Sequence, residues 1–257
     1  WAPDADLLAS FTAANEKELK EKTDAIEDAT QNFGEAEVLD AIIALADFHA
    51  RIGNKDEAVK MYLEKRKQKM SLGQKIDLAL KAVRVCLVHG DLPAAKTHIK
   101  TAHELAELGG DWDRRNRLKV YQGTYFVATR QFSKAAALFL DSVATFTCYE
   151  MYSYNQFVFY LVVVSLLALD RKTLREKIVE SPEVLTCIRE LPHADHLLTS
   201  FYGCRYKDFF KALVEIHPFV FRDRFLNGHA KWYLREVRIK AYAQFLESYK
   251  SVTAASM

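Results

Sequence analysis

An all-α chain of stacked helical hairpins is the fold class that this 257-residue sequence predicts, and three observations carry it. A short turn followed by a small residue recurs: Ile52-Gly53-Asn54-Lys55-Asp56-Glu57-Ala58, then His89-Gly90-Asp91-Leu92-Pro93-Ala94-Ala95, then Thr129-Arg130-Gln131-Phe132-Ser133-Lys134-Ala135. Ala58, Ala95 and Ala135 stand 37 and 40 residues apart, the period of two-helix units that bury their apolar faces against their neighbours. Glycine (nine) and proline (five) are scarce, and no stretch alternates with period two long enough to demand a sheet. A degenerate fourth turn is expected at Leu169-Asp170-Arg171-Lys172. A stack of this kind is expected to be elongated and to present surface to partners, so scaffolding is its default role.

The first segment, 1–33, reads as one long helix from Asp4 to Asn32, ended by Gly34 in the manner of a C-terminal cap. Leu7, Leu8, Phe11, Ala14, Leu19 and Ile26 form a thin stripe, expected to pack on one side. The hairpins follow over 34–180. Val38, Ala41, Ile42, Leu45, Phe48 and Ile52 lie on one helix face before the Gly53-Asn54 turn, and Asp56 favours the return helix through the helix dipole. The second hairpin repeats this with Ile76, Ala79, Leu80, Val83 and Leu87, a Gly90-Asp91 turn, and Pro93 early in the return helix. Leu118, Tyr121, Tyr125 and Ala128 begin the third; Ala135, Leu138, Phe139 and Val143 complete it. Phe157 to Leu169 is apolar except for Ser165, too short to span a bilayer, and reads as a buried central helix.

Over 181–257, Ser181 and Pro182 start a further helix as N-cap and first residue, and Pro192 ends it. One more hairpin runs through Leu197, Leu198 and Phe201 and returns through Phe209, Phe210, Leu213 and Ile216, with Pro218 closing the unit. His229 to Tyr249 reads as an amphipathic helix with apolar residues around much of its circumference, and Trp232, Tyr233 and Phe245 are expected to leave an apolar patch.

Thirty-six basic against 34 acidic residues leave a net charge of +2, which argues against a nucleic-acid-binding arm. Cys86, Cys148, Cys187 and Cys204 form no CxxC pair and read as reduced thiols of a cytosolic or nuclear protein. Trp1 in place of an initiator Met reads as a fragment or processed product. No phosphate loop, strand-associated GxGxxG, HExxH, paired HxH or GxSxG elbow is present, so neither cofactor, small-molecule substrate nor catalytic residue is expected. His193 and His196 could share a helix face, with Asp195, Cys187 and Cys204 nearby in sequence, but the cysteine spacing matches no zinc module. His98 and His103 do not share a face well. The cluster Arg114-Arg115-Asn116-Arg117-Leu118-Lys119, preceded by Asp111, Trp112 and Asp113, reads as a capped helix start whose arginines bridge to acidic side chains of an adjacent helix or subunit. Tyr149, Tyr152 and Tyr154 read as packing between hairpins.

The run Gly109-Gly110-Asp111-Trp112-Asp113-Arg114-Arg115-Asn116-Arg117-Leu118-Lys119-Val120-Tyr121-Gln122-Gly123 closely resembles the signature of a proteasome-lid family, regulatory-particle non-ATPase subunit seven, known in animals as non-ATPase regulatory subunit 6. Phe139-Leu140-Asp141-Ser142-Val143, Tyr202-Gly203-Cys204-Arg205-Tyr206 and Arg235-Glu236-Val237-Arg238-Ile239-Lys240-Ala241-Tyr242 support it, and the resemblance extends from Asp4 to Tyr249. It implies a right-handed superhelix of tetratricopeptide-like hairpins leading into a PCI domain, of which 181–257 is the helical part. It further implies a non-catalytic role among the PCI and MPN subunits of the lid, in cytoplasm and nucleus, with no nucleic acid or membrane partner. In that family a winged-helix subdomain follows, and helices precede the stack; the chain is expected to be a central piece without them. The paralogous PCI subunit of the COP9 signalosome shares the architecture. A free tetratricopeptide adaptor would need inward-facing basic residues, where the first helices here carry apolar or aromatic ones.

Overall fold

The computed structural model describes residues 4–67, 70–247, 249 and 253; the termini Trp1 and Met257 lie outside them. The described residues form thirteen α-helices and no strand: α1 (Ala5–Asn32), α2 (Glu35–Arg51), α3 (Lys55–Arg66), α4 (Leu72–Val88), α5 (Leu92–Glu107), α6 (Trp112–Ala128), α7 (Phe132–Ser142), α8 (Tyr154–Ala168), α9 (Arg171–Leu174), α10 (Pro182–Cys187), α11 (Pro192–Tyr202), α12 (Tyr206–Arg222) and α13 (Ala230–Leu246). The fold is the expected all-α helical repeat. Two compact units meet in sequence within α6, between Arg114 and Arg115.

In the first unit, α2–α3 and α4–α5 are hairpins of one design. Gly53 (φ +87°) and Gly90 (φ +72°) take the left-handed conformation that closes each turn, where a Cβ would be strained. Ala58 and Ala95, just past the turns, are completely buried, as the close crossing of antiparallel helices requires. The start of α4 is held by Ser71 and Gln74, each side chain accepting from the other's backbone N–H, and that of α5 by Asp91, which accepts from Ala94 N at 3.1 Å. Ion pairs then tie one hairpin to the next at about the repeat period. Lys55 Nζ lies 2.8 Å from Asp91, joining the two turns across 36 positions, and Lys81 Nζ lies 2.6 Å from Asp47 across 34. The Tyr62 hydroxyl donates to the same Asp47, and burial with that carboxylate beside it pushes the phenol well above its ordinary range.

The long first helix departs from expectation. Its stripe through Leu7, Leu8, Phe11 and Leu19 is exposed, while Asn15, Glu18, Lys22, Ile26 and Ala29 make the packed face. For Leu7, Leu8 and Phe11 the reason is length: α1 has 28 residues and the α2 it packs on has 17, so the first turns run past their support, while Leu19 lies on the solvent side of the supported part. Gly34 is no left-handed cap either; Phe33 ends α1 in extended backbone, and Gly34 occupies the N-cap position of α2.

In the second unit, α8 is the buried centre: every residue from Phe157 to Leu166 is inside. Phe146 stacks on Phe157 at 4.6 Å and meets Tyr149, Tyr152 and Tyr154 at 5.2–6.4 Å, so these tyrosines cluster at the link from α7 to α8 rather than between hairpins: Tyr152 reaches Thr124 of α6 at 2.6 Å, and Tyr149 is 68% exposed. The fourth turn is not where it was expected. Leu169 and Asp170 are both extended, and Asp170 caps the four-residue α9, which runs on into a π turn over Arg175–Val179. The hairpin geometry reappears between α11 and α12, with Cys204 (φ +55°) in the left-handed position. Pro192 opens α11 rather than merely ending α10, and Pro218 does not close α12, which continues to Arg222. Pro218 sits on the solvent side, and Val214, whose carbonyl loses its N–H partner, is exposed there, so water can satisfy it. Among the described residues no helix is long and apolar enough to cross a membrane.

Candidate assembly surface

Asp111 Oδ1 accepts from the backbone N–H of Arg114 at 3.0 Å, so the signature run does open on an Asp cap. The Arg114 side chain turns back to α4, donating from Nε and Nη2 to the two carboxylate oxygens of Asp77 at 3.0 and 2.6 Å, and from Nη1 to Asp111 at 2.5 Å. This fork is bidentate and mostly shielded from water, and its hydrogen bonds to Asp77 hold the guanidinium above its ordinary pKa. The 37 positions between the partners are again one repeat. Gly110 packs closely here: a Cβ would lie 2.9 Å from Ala106 Cα and 3.1 Å from Ile76 Cδ1.

Within the second unit, Arg117 donates from Nε (2.9 Å) and Nη2 (2.6 Å) to Glu150 Oε1, an oxygen that also accepts from the Tyr121 hydroxyl at 3.3 Å. Lys119 pairs with Asp141 at 2.6 Å. Arg114, Arg117 and Lys119 therefore meet carboxylates of this chain, while Trp112 (62% exposed), Asp111 and Arg115 stand at the surface and Asp113 is half-buried. Asp77 and Glu150 were not singled out from the sequence; the signal for Asp77 was its distance of one period from Arg114.

The last helix corrects its expectation more sharply. Ala230, Tyr233, Val237 and Ala241 face the core, so Tyr233 is inside rather than on a patch; its hydroxyl donates to Val163 O at 3.1 Å, which lets the polar end be buried. Trp232 is half-buried against Phe132 at 5.6 Å, and Phe245 is half-buried with its edge to Tyr206 at 5.5 Å. The exposed apolar residues are instead Ile239 (53%), Tyr242 (40%) and Leu246 (42%), spaced as one helix face, with Tyr249 (55%) past the helix end. Beside them a groove of about 420 Å³ runs between α12 and α13, floored by Phe210, Leu213, Val214 and Leu234 and edged by His217 and Arg238.

The histidines adopt no ligand geometry. His193 and His196 share a face of α11, and both turn Nδ1 toward Glu215 of α12, at 3.8 and 3.2 Å. Among the described residues no group of three or more His, Cys, Asp or Glu is arranged to hold a metal ion. None of the four cysteines is in a disulfide, and burial pushes Cys86 up to about 11, where the nucleophilic thiolate is scarce.

Residues 4–177 match the model of a family described as 26S proteasome subunit RPN7. The chain is 44% identical over 254 residues to "26S proteasome non-ATPase regulatory subunit 6 homolog" of Arabidopsis thaliana, covering 99% of this chain and 66% of the relative. It is 43% identical over 257 residues to "26S proteasome non-ATPase regulatory subunit 6" of Dictyostelium discoideum, covering all of this chain and 67% of the relative. Similarity to "COP9 signalosome complex subunit 1" of Neurospora crassa is lower, 22% over 267 residues, covering 99% of this chain and 62% of that protein. The chain thus spans about two thirds of the length of its relatives.

Proposed function

The chain belongs to the 26S proteasome subunit RPN7 family, and from that premise we propose that it is a non-catalytic scaffold of the proteasome regulatory-particle lid. Its homologues are 26S proteasome regulatory subunits. Its work is to hold neighbouring subunits of PCI and MPN type in register, and so to support degradation of ubiquitin-linked proteins. Residues 34–180 serve as tetratricopeptide-like repeats and 181–257 as the helical part of a PCI domain. The reading needs no cofactor, nucleic acid, membrane or small-molecule substrate, and places the protein in cytoplasm and nucleus.

One observation carries the assembly role: Ile239, Tyr242 and Leu246 form an exposed apolar face beside the α12–α13 groove, on a helix whose opposite face is packed, with Tyr249 exposed just past the helix end. Exposed apolar residues gathered on one face mark an interaction surface. Affinity purification of the tagged chain from cell extract tests the proposal. Co-elution with lid subunits is expected; co-elution with signalosome subunits would favour the paralogous complex, and elution alone would remove the scaffold reading.

A further inference from the structure

The third hairpin turn is built like the two before it, with one exchange. At Gly53 and Gly90 an added Cβ meets nothing within 4 Å, yet the φ of +87° and +72° makes any side chain unfavourable. The third turn puts Arg130 in that position, at φ +61°. Its hydrogen bonds do not ask for arginine: Arg130 N to Val127 O (3.1 Å) and Gln131 N to Phe126 O (2.8 Å) repeat Gly90 N to Leu87 O (3.2 Å) and Asp91 N to Cys86 O (2.9 Å). What arginine adds is its side chain.

That side chain reaches the start of α13, about a hundred residues on. The guanidinium carbon stands 5.2 Å over the Trp232 ring. Nε, which can only donate, points at His229 Nδ1 at 3.3 Å. Nδ1 is then the acceptor, which places the imidazole proton on Nε2, and Nε2 donates to Ala128 O at 2.8 Å. Ala128 is the last residue of α6, so this carbonyl is one that the helix leaves unpaired. The turn, the histidine and the helix end close into a ring of contacts.

We propose that Arg130 is a latch: a positioning residue held in an unfavourable backbone conformation because its side chain fixes the N-terminal end of α13 against the third hairpin. Glycine would suit the turn itself better, so the latch and a merely strained turn give opposite expectations for Arg130→Gly.

Amide hydrogen exchange on the 257-residue chain decides between them. Arg130→Gly should lower protection across 230–246 at least tenfold while the amides of its own turn stay protected, and Arg130→Ala should lower it further. Gly90→Arg, an arginine in the same conformation without a latch partner, should weaken its own turn and leave 230–246 unchanged. In a double-mutant cycle, His229→Ala should cost clearly less in the Arg130→Gly background than in the wild type, the remainder being its bond to Ala128 O. If His229→Ala fails to fold, Trp232→Leu takes its place in the cycle. Protection over 230–246 that is unchanged or raised in Arg130→Gly would overturn the latch, as would singles whose effects multiply in the double variant.

Discussion

Lys240 of α13 donates to the Leu166 carbonyl of α8 at 2.7 Å, and its ammonium also reaches the carbonyls of Leu167 (3.2 Å) and Leu169. It closes the end of the buried helix. Gln244, one turn further, donates to Phe201 O at 3.2 Å, near the end of α11, and His229 does the same for Ala128 at the end of α6. Three helices thus end against side chains of α13 or the residue just before it: Lys240 and His229 satisfy carbonyls at the ends of α8 and α6, and Gln244 adds a second donor to Phe201 O, which already accepts from Cys204 N at 3.2 Å. A helix with this task is a structural bar across the unit as well as a surface.

Burial lowers the Lys240 pKa from 10.5 to about 8, against the opposing pull of Asp170. Between those values the unfolded chain holds a proton that the folded chain has released, so stability attributable to this group rises with pH from about 8 to 10.5 and is flat below. The wild type should therefore gain stability relative to Lys240→Met over that interval. Urea unfolding of both proteins at pH 7.5 and 9.5 measures it; a gap that stays constant or moves the other way would remove the assignment.

Gly123 of α6 lies against the Phe139 ring of α7, and a Cβ there would stand 2.4 Å from Cε1. Phe139 is fully buried and its ring is met edge-on by Phe157 at 5.2 Å, so it has little room to retreat. Overpacking costs about 1–3 kcal/mol, against which alanine regains about 1 kcal/mol of helix propensity over glycine. Gly123→Ala is expected to lower the thermal midpoint, and Phe139→Leu in the same chain to recover part of the loss. A more stable Gly123→Ala would show that the two helices can part without cost.

How far the sequence could be read follows from what each turn needs. Gly53 and Gly90 announce their turns because glycine suits a left-handed residue. Arg130 and Cys204 take the same conformation though their residue types do not favour it, so the third turn was legible from the period but its left-handed residue was not; their side chains meet α13 and the residue before it. At 169–172 the period continued in the letters, but Leu169 and Asp170 are extended and the hairpin design lapses until α11. The arginine contacts were foreseeable in kind: Arg114 meets a carboxylate one repeat away, as charge and spacing suggest. Tyr233 was misplaced because aromatic content alone does not orient a helix; its hydroxyl finds a partner only in the folded chain. The α13 side chains that close helix ends were illegible for the same reason, their acceptors being backbone carbonyls with no sequence signal.

The Arg114–Asp77 fork is shielded enough to matter. Pairs of this kind couple by about 0.5–3 kcal/mol in double-mutant cycles. Arg114→Ala and Asp77→Ala should each destabilise the chain, and the double variant should lose less than their sum. Arg114→Glu should be worse than either, since it sets a third carboxylate beside Asp77 and Asp111. Chemical denaturation of the four variants gives the coupling; strict additivity would mean that the fork contributes shape without energy.

The exposed face of α13 separates assembly from stability. Ile239, Tyr242 and Leu246 turn away from the core that Tyr233, Val237 and Ala241 enter, so replacing them removes little packing. A surface change of this kind is usually within about 0.5 kcal/mol. Ile239→Lys with Leu246→Lys should therefore leave the unfolding midpoint nearly unchanged. At an interface the same change buries two unpaired charges, which costs several kcal/mol and should block incorporation into the lid. The unmodified chain should also self-associate as its concentration rises, because the apolar face and the adjoining groove are open, and the double variant should stay monomeric. Sedimentation across a concentration series, followed by reconstitution with lid subunits, reads both outcomes. A variant that folds, stays monomeric and still enters the lid would move the assembly surface elsewhere on the chain, with the exposed Trp112 the next place to look.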